Sequence, residues 1–344
     1  MPGISSVDCI SPAFSLMRKR LFQPFRFDYW ARIAVLGVLA GELSSSGSSG
    51  HHGNTTSTKH VPSPAFPHFG AGGWIAQHWQ GILLAIGAVI LLGVLFTYIS
   101  SVLRFVLYEA VLRDKAHIRE GFMRWSELGL EYFWFRLIVT IPYAFIAIYF
   151  VGLPLLRVIK SGGGGPELFA TIAQLVGSVL LVPLLGLIVA VVMVMTKDFV
   201  VPQMMFEGIG CTEGWRRLWL RIKDEPGSFA VYIFFKIVLS IAAFILFAIA
   251  MVISFVILAI PAALCVAAGV VVVKMTGLGT LAAVPLILLG VIVGVPALIF
   301  FVGFIGAPIT VFFPAYSIYY FASRYKPLYD ELYPPPATTQ PSPS

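Results

Sequence analysis

The sequence predicts an all-α fold, a polytopic transmembrane helical bundle of about six core spans. Of its 344 residues, 58% are hydrophobic and only 11% are charged, whereas soluble globular proteins carry about 25% charged residues. Apolar runs of about 20 residues recur along the chain, which is the length that an α-helix needs to cross a bilayer. Such runs are typical of membrane-spanning helices rather than of a buried core.

The charge distribution favours a membrane surface over nucleic acid as the partner. The formal net charge is +7, from 23 Lys and Arg against 16 Asp and Glu. The basic residues lie in short segments that flank the apolar runs, often beside Trp and Tyr. This is the pattern that anionic headgroups and the positive-inside rule produce. We therefore expect membrane lipids and other membrane proteins as partners, and no nucleic acid.

The N-terminal segment predicts an amphipathic helix near 12–23 and then a short first span over residues 27–43. On length alone the crossing is open, because about 17 residues is the lower limit for a span. Charge favours it: without a crossing, the basic residues from Arg18 to Arg32 would lie on the opposite side from the other basic clusters. Glu42 then marks the outer end of the first span.

Residues 44–78 predict a flexible external loop, because a segment so rich in Ser, Gly, Thr and Pro cannot bury enough apolar surface to become ordered. Five histidines fall in it at irregular spacing, so a plain polar loop is favoured over a metal site. The three cysteines also lack metal-ligand spacing and are interpreted as free thiols. We expect no cofactor and no bound metal.

Five further spans follow from the remaining apolar runs, at residues 79–103, 132–155, 168–195, 229–259 and 280–324. The last run is one kinked span with an interfacial tail, or two spans. The stretch before it is an external interfacial or re-entrant piece, or a further crossing, which keeps an eight-span alternative open. Residues 1–326 thus form a single transmembrane domain, and the proline-rich tail 327–344 is predicted to be disordered.

Two polar connectors between spans predict basic amphipathic helices at the membrane interface, near 117–131 and 212–224. In the second, apolar residues recur at i, i+3, i+4 and i+7 from Trp215, and basic residues fill the opposite arc. Their basic and tryptophan residues are candidate contacts with lipid or a partner: Arg119, Arg124, Trp125, Trp215, Arg216, Arg217, Trp219, Arg221 and Lys223.

An internal repeat gives the span count. Residues 104–125 align without a gap to residues 198–219, an offset of 94 residues, and a weaker copy follows from Val311. The simplest architecture is three copies of an amphipathic helix plus a transmembrane hairpin. Six spans place both termini and both connectors on one face together with 19 of the 23 Lys and Arg, which makes that face cytoplasmic in a bacterial inner membrane.

Ionisable residues inside a membrane are candidate functional residues. Five lie at the predicted cytoplasmic border, where anchoring is the favoured role: Arg104, Glu109, Arg136, Lys197 and Asp198. Lys236 is deeper, at roughly 12 Å into the fifth span. It either extends to the interface or finds a partner in the bundle, and it is the one candidate intramembrane polar site.

The segment from Phe199 resembles the central part of bacterial six-helix membrane proteins related to the membrane domain that accompanies some glycerophosphodiester phosphodiesterases. That pattern is an apolar stretch with Val-Pro, a Glu-Gly turn and a helix of the form Glu-Ala-(Leu or Trp)-Arg-Arg-Ser. The matching residues are Glu207, Gly208, Glu213, Trp215, Arg216 and Arg217, whereas Gly214 and Leu218 depart from it. The resemblance implies a six-helix architecture and no catalytic domain.

No nucleophile, metal-binding or phosphate-binding motif is present in the sequence. We expect a non-enzymatic membrane protein with no catalytic residues, acting as a scaffold, assembly factor or accessory subunit that contacts anionic lipid or a membrane partner. The alternative is a transporter or lipid-handling protein with a site between the repeats.

Overall fold

The structure, a computed structural model, describes residues 5–42, 71–114, 117–160, 167–276 and 279–333. In these residues all regular secondary structure is helical. Eleven α-helices and two π-helical segments follow one another in the described ranges: α1 Ile10–Phe22, α2 Phe27–Leu39, α3 Ala71–Arg113, α4 Ile118–Ala147, π1 Ile148–Gly152, α5 Leu153–Lys160, α6 Glu167–Met195, π2 Thr196–Val200, α7 Val201–Glu207, α8 Cys211–Asp224, α9 Pro226–Thr276, α10 Gly279–Ala322 and α11 Lys326–Leu332.

Five helical stretches among the described residues are long and apolar enough to cross a membrane. Each overlaps one of the predicted spans from the second to the sixth: Leu83–Arg113, Ile118–Arg157, Ala173–Glu207, Pro226–Ile257 and Pro296–Ala322. Their apolar side chains are largely exposed, and none of the most apolar window of Pro226–Ile257 is buried. Such surfaces require lipid or another membrane protein to cover them.

The predicted first span is not among the five. Its helix, α2, has 13 residues and is about 20 Å long at ~1.5 Å per residue, shorter than the roughly 30 Å hydrocarbon core of a bilayer. It packs against α3 and α10. A Cβ on Gly37 would lie 2.3 Å from Thr310 Oγ1, so the close approach of α2 to α10 depends on this glycine.

Helices occur at all three predicted interfacial positions, with one difference in form. The predicted segments 12–23 and 212–224 correspond to the separate helices α1 and α8, whereas the predicted segment 117–131 corresponds to the first half of α4, which continues into its span without a break. The continuity has a packing reason. Gly121 and Gly129 face Val106 and Val102 of α3 at distances that leave no room for a larger residue, so the first half of α4 packs closely along α3.

The structure differs from the sequence prediction at the edges of two segments that were predicted to be irregular. Residues 44–70 of the predicted loop lie outside the described residues, and α3 already begins at Ala71. Within the predicted tail, α11 is helical to Leu332 and its Leu328 is buried. The apolar face of this short helix packs on the core, which explains why it is ordered where composition predicted disorder; residues 334–344 are not described.

The densest core lies at the end of the bundle where the spans meet α1, α8 and α11. Its large buried side chains are mostly aromatic, among them Phe105, Phe199, Tyr232, Tyr316 and Tyr320. Phe199 is at the centre, with the rings of Tyr232 and Phe321 at 4.9 Å and 5.2 Å between centroids. This aromatic core fixes the positions of the polar side chains described next.

Candidate functional site

The helix α8 is the connector that the sequence singled out, and its ends follow from local chemistry. Gly208 adopts a left-handed conformation at φ 63° and ends α7, which is the usual role of glycine at that position. Acidic Glu213 lies in the first turn, and basic Arg221 and Lys223 lie in the last turn. Both charge types are thus placed where they stabilise the helix dipole.

One face of α8 is locked onto the core. Leu218 is fully buried, and Trp215 Nε1 donates a hydrogen bond to Thr196 Oγ1 at 3.0 Å. A Cβ on Gly214 would lie 2.7 Å from Val200 Cγ1. This contact gives a physical reason for glycine at a position where the resembled proteins have alanine. Trp215 is therefore a packing residue rather than a lipid contact.

Two of the four basic residues of α8 are held by intramolecular contacts. Arg217 forms ion pairs with Glu207 and Glu213. Arg221 donates a hydrogen bond to Gln203 Oε1 at 3.1 Å and lies over the Tyr325 ring at 5.3 Å. These contacts tie α8 to α7 and to the residue before α11.

The other two basic residues of α8, Arg216 and Lys223, face outward. Together with the apolar Trp219 and Leu220 they form what we call the α8 strip. Trp219 and Leu220 are 52% and 59% exposed, and the Arg216 side chain is 75% exposed. Lys223 Nζ lies 5.8 Å from the centre of the Trp219 ring. Glu213 forms ion pairs with both Arg216 and Arg217. Hydrogen bonds from these arginines lower the pKa of Glu213, so its carboxylate is charged at neutral pH.

The candidate lipid or partner contacts on α4 also divide into an exposed residue and residues held by intramolecular hydrogen bonds. Arg119 is exposed. Arg124 Nη1 and Trp125 Nε1 both donate to the Glu109 carboxylate, at 2.7 Å and 2.8 Å. Trp125 also stacks on Phe105 at 6.1 Å between ring centroids. Arg124 and Trp125 therefore satisfy a buried carboxylate of α3, and this is a structural role.

Lys236 finds its partner inside the bundle. Its Nζ forms an ion pair with Asp198, whose Oδ2 also accepts a hydrogen bond from Tyr232 Oη at 2.9 Å. Lys236 and Asp198 are 7% and 0% exposed. The contact is the second of the two alternatives that the sequence left open for this lysine.

Next to this pair, Glu42 forms a second set of ionic contacts that the sequence did not predict. Glu42 accepts hydrogen bonds from Arg104 Nη1 at 2.7 Å and from Lys197 Nζ at 2.6 Å. The predicted placement of Glu42 at the outer end of a span is therefore incompatible with the predicted placement of Arg104 and Lys197 at the cytoplasmic border, because all three share one buried cluster. The prediction failed because α2 is too short to carry Glu42 across.

The five charged residues form what we call the buried ionic cluster: Glu42, Arg104, Lys197, Asp198 and Lys236. Its basic members lie at matching heights on three helices. Arg104 is 9 residues from the end of α3 (113 − 104), Lys197 is 10 from the end of α7 (207 − 197) and Lys236 is 10 from the start of α9 (236 − 226). At ~1.5 Å per residue each is about 14–15 Å from its helix end, so the cluster is a layer across the bundle.

A π-helical segment places two adjacent cluster residues in different pairs. Lys197 and Asp198 both belong to π2, and they contact Glu42 and Lys236 respectively. Segments of π-helix are frequent at functional sites, since they alter the register of one side of a helix. The sequence signal for this cluster was the set of ionisable residues beside apolar runs; its pairing was not visible.

Comparison with known proteins gives a family and no function. A protein-family model described as "Family of unknown function (DUF7544)" matches residues 4–330. No curated protein and no solved structure matches the chain. The resemblance to the membrane domain of glycerophosphodiester phosphodiesterases stays a prediction.

Proposed function

Since this chain belongs to the DUF7544 family of unknown function, we propose a function from its own residues: a non-enzymatic, multi-pass scaffold or accessory subunit of the bacterial inner membrane. The observation that carries the proposal is the α8 strip. It presents two large apolar side chains and two cations on a helix whose other face is fixed by Trp215, Arg217 and Leu218. A rigid amphipathic surface of this kind is suited to anionic headgroups or to a membrane partner.

Contacts at one end of the bundle support an even number of crossings with both termini cytoplasmic. Arg20 of α1 pairs with Asp114, and Arg113 pairs with Glu331 of α11. Both terminal helices thus meet the end of α3. Five crossings cannot return a chain to its starting face, so we propose a sixth crossing in addition to the five candidate spans.

The repeat architecture has a structural counterpart at two connectors. Gly121 of α4 faces Val106, and Gly214 of α8 faces Val200, each within 3.0 Å of where a Cβ would lie. The valines are 94 residues apart and the glycines 93, close to the offset of the sequence repeat. This likeness supports the proposed origin of the bundle from repeated units.

A photo-crosslinking experiment tests the scaffold proposal. A photoreactive amino acid replaces Trp219 in the α8 strip or, as the control, the exposed Phe14 of α1. We expect a discrete crosslinked protein from position 219, lost when Arg216 and Lys223 are changed to Gln, and none from position 14. Recovery of an uncrosslinked monomer in every detergent would contradict the proposal.

The buried ionic cluster favours a second candidate, a transporter or lipid-handling protein. Charged side chains are costly inside a membrane and commonly mark substrate or ion pathways. A Lys236→Cys variant that lacks the native cysteines tests this candidate. A pathway predicts that a charged, membrane-impermeant maleimide labels position 236 from one side of sealed vesicles. Labelling only after unfolding would support a closed core.

A further inference from the structure

A further cation, Arg136, lies next to the buried ionic cluster where α3 faces α4. Arg136 of α4 extends towards α3, and its Nη1 lies 3.4 Å from Ser100 Oγ. Ser100 is one turn before Arg104 on α3 and is 2% exposed. The turn at Gly41 reaches the same point, since a Cβ there would be 3.7 Å from Ser100 Oγ. Ser100 therefore lies between two arginines and beside Glu42.

Donor groups in this place lack acceptors among the described residues. Arg104 is 4% exposed, and its Nε is a buried donor without a hydrogen-bond partner there. Arg136 takes part in none of the ion pairs of the described residues. Its bond to Ser100 is longer than the usual 2.7–3.2 Å and is weak. Among the described residues, the Arg136 guanidinium thus has no carboxylate partner and the buried Arg104 Nε has no acceptor, and an anion would supply both.

The charge balance points the same way. Arg136 lies beside the cluster, so the four positive charges of Arg104, Arg136, Lys197 and Lys236 face two carboxylates. These carboxylates already pair with the cations of the cluster, Glu42 with Arg104 and Lys197, and Asp198 with Lys236. Glu42 opposes an incoming anion, but it is already shared by two of the cations. Arginine does not lose its proton in proteins, so the excess is not removed by deprotonation of Arg104 or Arg136. A bound anion would compensate it.

The height of Arg136 matches the headgroup region. Exposed apolar side chains continue from Ile138 along α4, and the exposed Trp134 precedes Arg136 by two residues. Tryptophan is enriched at the level of the headgroups. On α3, exposed apolar side chains extend to Phe96, one turn before Ser100. Arg136 is partly exposed, which leaves one side of the group open.

We propose that Arg136, Ser100 and the Arg104 Nε form a binding site for a phosphate oxyanion. The planar guanidinium matches two phosphate oxygens at once, and the Ser100 hydroxyl can donate to a third. Either the phosphodiester of an anionic phospholipid or free phosphate supplies this chemistry. The site rests on the membrane location in the proposed function, and it is independent of the α8 strip.

Native mass spectrometry of the full-length protein in mild detergent tests the lipid source. The protein is mixed with equal amounts of phosphatidylglycerol and phosphatidylcholine. Variants are Arg136→Gln and Arg136→Lys, with the exposed Arg18→Gln as the control for loss of one charge. We expect the wild type and Arg18→Gln to retain phosphatidylglycerol preferentially, and Arg136→Gln to retain about fivefold less, the effect of one surface cation. Arg136→Lys should fall between them.

Phosphorus NMR with inorganic phosphate tests the free source, with the protein in phosphatidylcholine nanodiscs. Line broadening that Arg136→Gln abolishes would assign the site to free phosphate; its absence with selective phosphatidylglycerol retention would assign it to lipid. Equal lipid retention by Arg136→Gln and Arg18→Gln, without a phosphate signal, would overturn the site. If only Arg216→Gln/Lys223→Gln loses lipid, the α8 strip stands and this site does not.

Discussion

Glu42, three residues after the end of α2, pairs with Arg104 near the C-terminal end of α3, and the two side chains are 2% and 5% exposed. The Arg104 Nη2 also donates to the Ala40 carbonyl oxygen. Lys197 reaches the same carboxylate from π2. One carboxylate therefore joins α2, α3 and the segment before α7.

We expect Glu42→Gln to destabilise the protein strongly. The change leaves two buried cations without their carboxylate, and breaking a buried ion pair in this way costs about 3–5 kcal/mol. The measurement is the free energy of unfolding in mixed micelles. Asp28→Asn is the matched control, because Asp28 pairs with Arg32 at the surface, where such a pair contributes about 0–1 kcal/mol. Equal losses in the two variants would show that the cluster does not stabilise the fold.

Gly214→Ala should destabilise the packing of α8. The new Cβ would lie 2.7 Å from Val200 Cγ1, and overpacking of this kind costs about 1–3 kcal/mol. Gly177→Ala in α6 is the control, since nothing lies within 4 Å of its added Cβ and alanine favours a helix by about 1 kcal/mol.

A second change checks the cause of the Gly214→Ala loss. Val200→Ala removes the atom that the new Cβ would meet, so the double variant should lose less stability than the sum of the two single variants. Strict additivity would assign the loss to something other than this contact.

The long spans and α8 could be predicted because each depends on a local pattern. Five apolar runs are long enough to identify a helix, and the spacing of Trp215, Leu218 and Ile222 identifies the buried face of α8. For Trp219 the spacing of apolar residues in α8 was not enough to predict whether the side chain is buried. This residue lies about 100° around the helix from Leu218, at the edge of the apolar face, and the structure leaves it exposed.

The pairing inside the bundle could not be predicted in the same way. It depends on the relative heights of helices that are far apart in the sequence: Glu42 and Lys197 are separated by 155 residues. The length of α2 was the decisive unknown. An apolar segment of 17 residues is compatible with a span, but only 13 of these residues are in α2. Glu42 therefore lies in the cluster and not at the membrane face where it was predicted.

The thiol of Cys211 should be inert in the folded protein. Burial raises its pKa to about 12, so the thiolate, which is the reactive form, is disfavoured. At pH 8 its fraction should be roughly a thousandfold lower than that of a free cysteine with a pKa near 8.5. A variant with Cys9→Ser and Cys265→Ser isolates this thiol for labelling with iodoacetamide.

Labelling of that variant should be slow in the folded state and accelerate as the pH rises towards 12, whereas the unfolded protein reacts at once. A folded protein that reacts with a midpoint near pH 8.5 would contradict the burial of Cys211 against the core.

Arg217 and Arg216 are neighbours with opposite expected roles, which separates fold from surface in α8. Arg217 joins Glu207 of α7 to Glu213, so Arg217→Gln should lower the thermal midpoint slightly, because these pairs are partly exposed and contribute little. Arg216 contacts Glu213 alone and extends outward. Arg216→Gln should leave the midpoint unchanged and reduce the retention of phosphatidylglycerol, which native mass spectrometry measures. The reverse pattern, with Arg216 needed for stability and Arg217 for lipid, would contradict the division of α8 into a core face and the α8 strip.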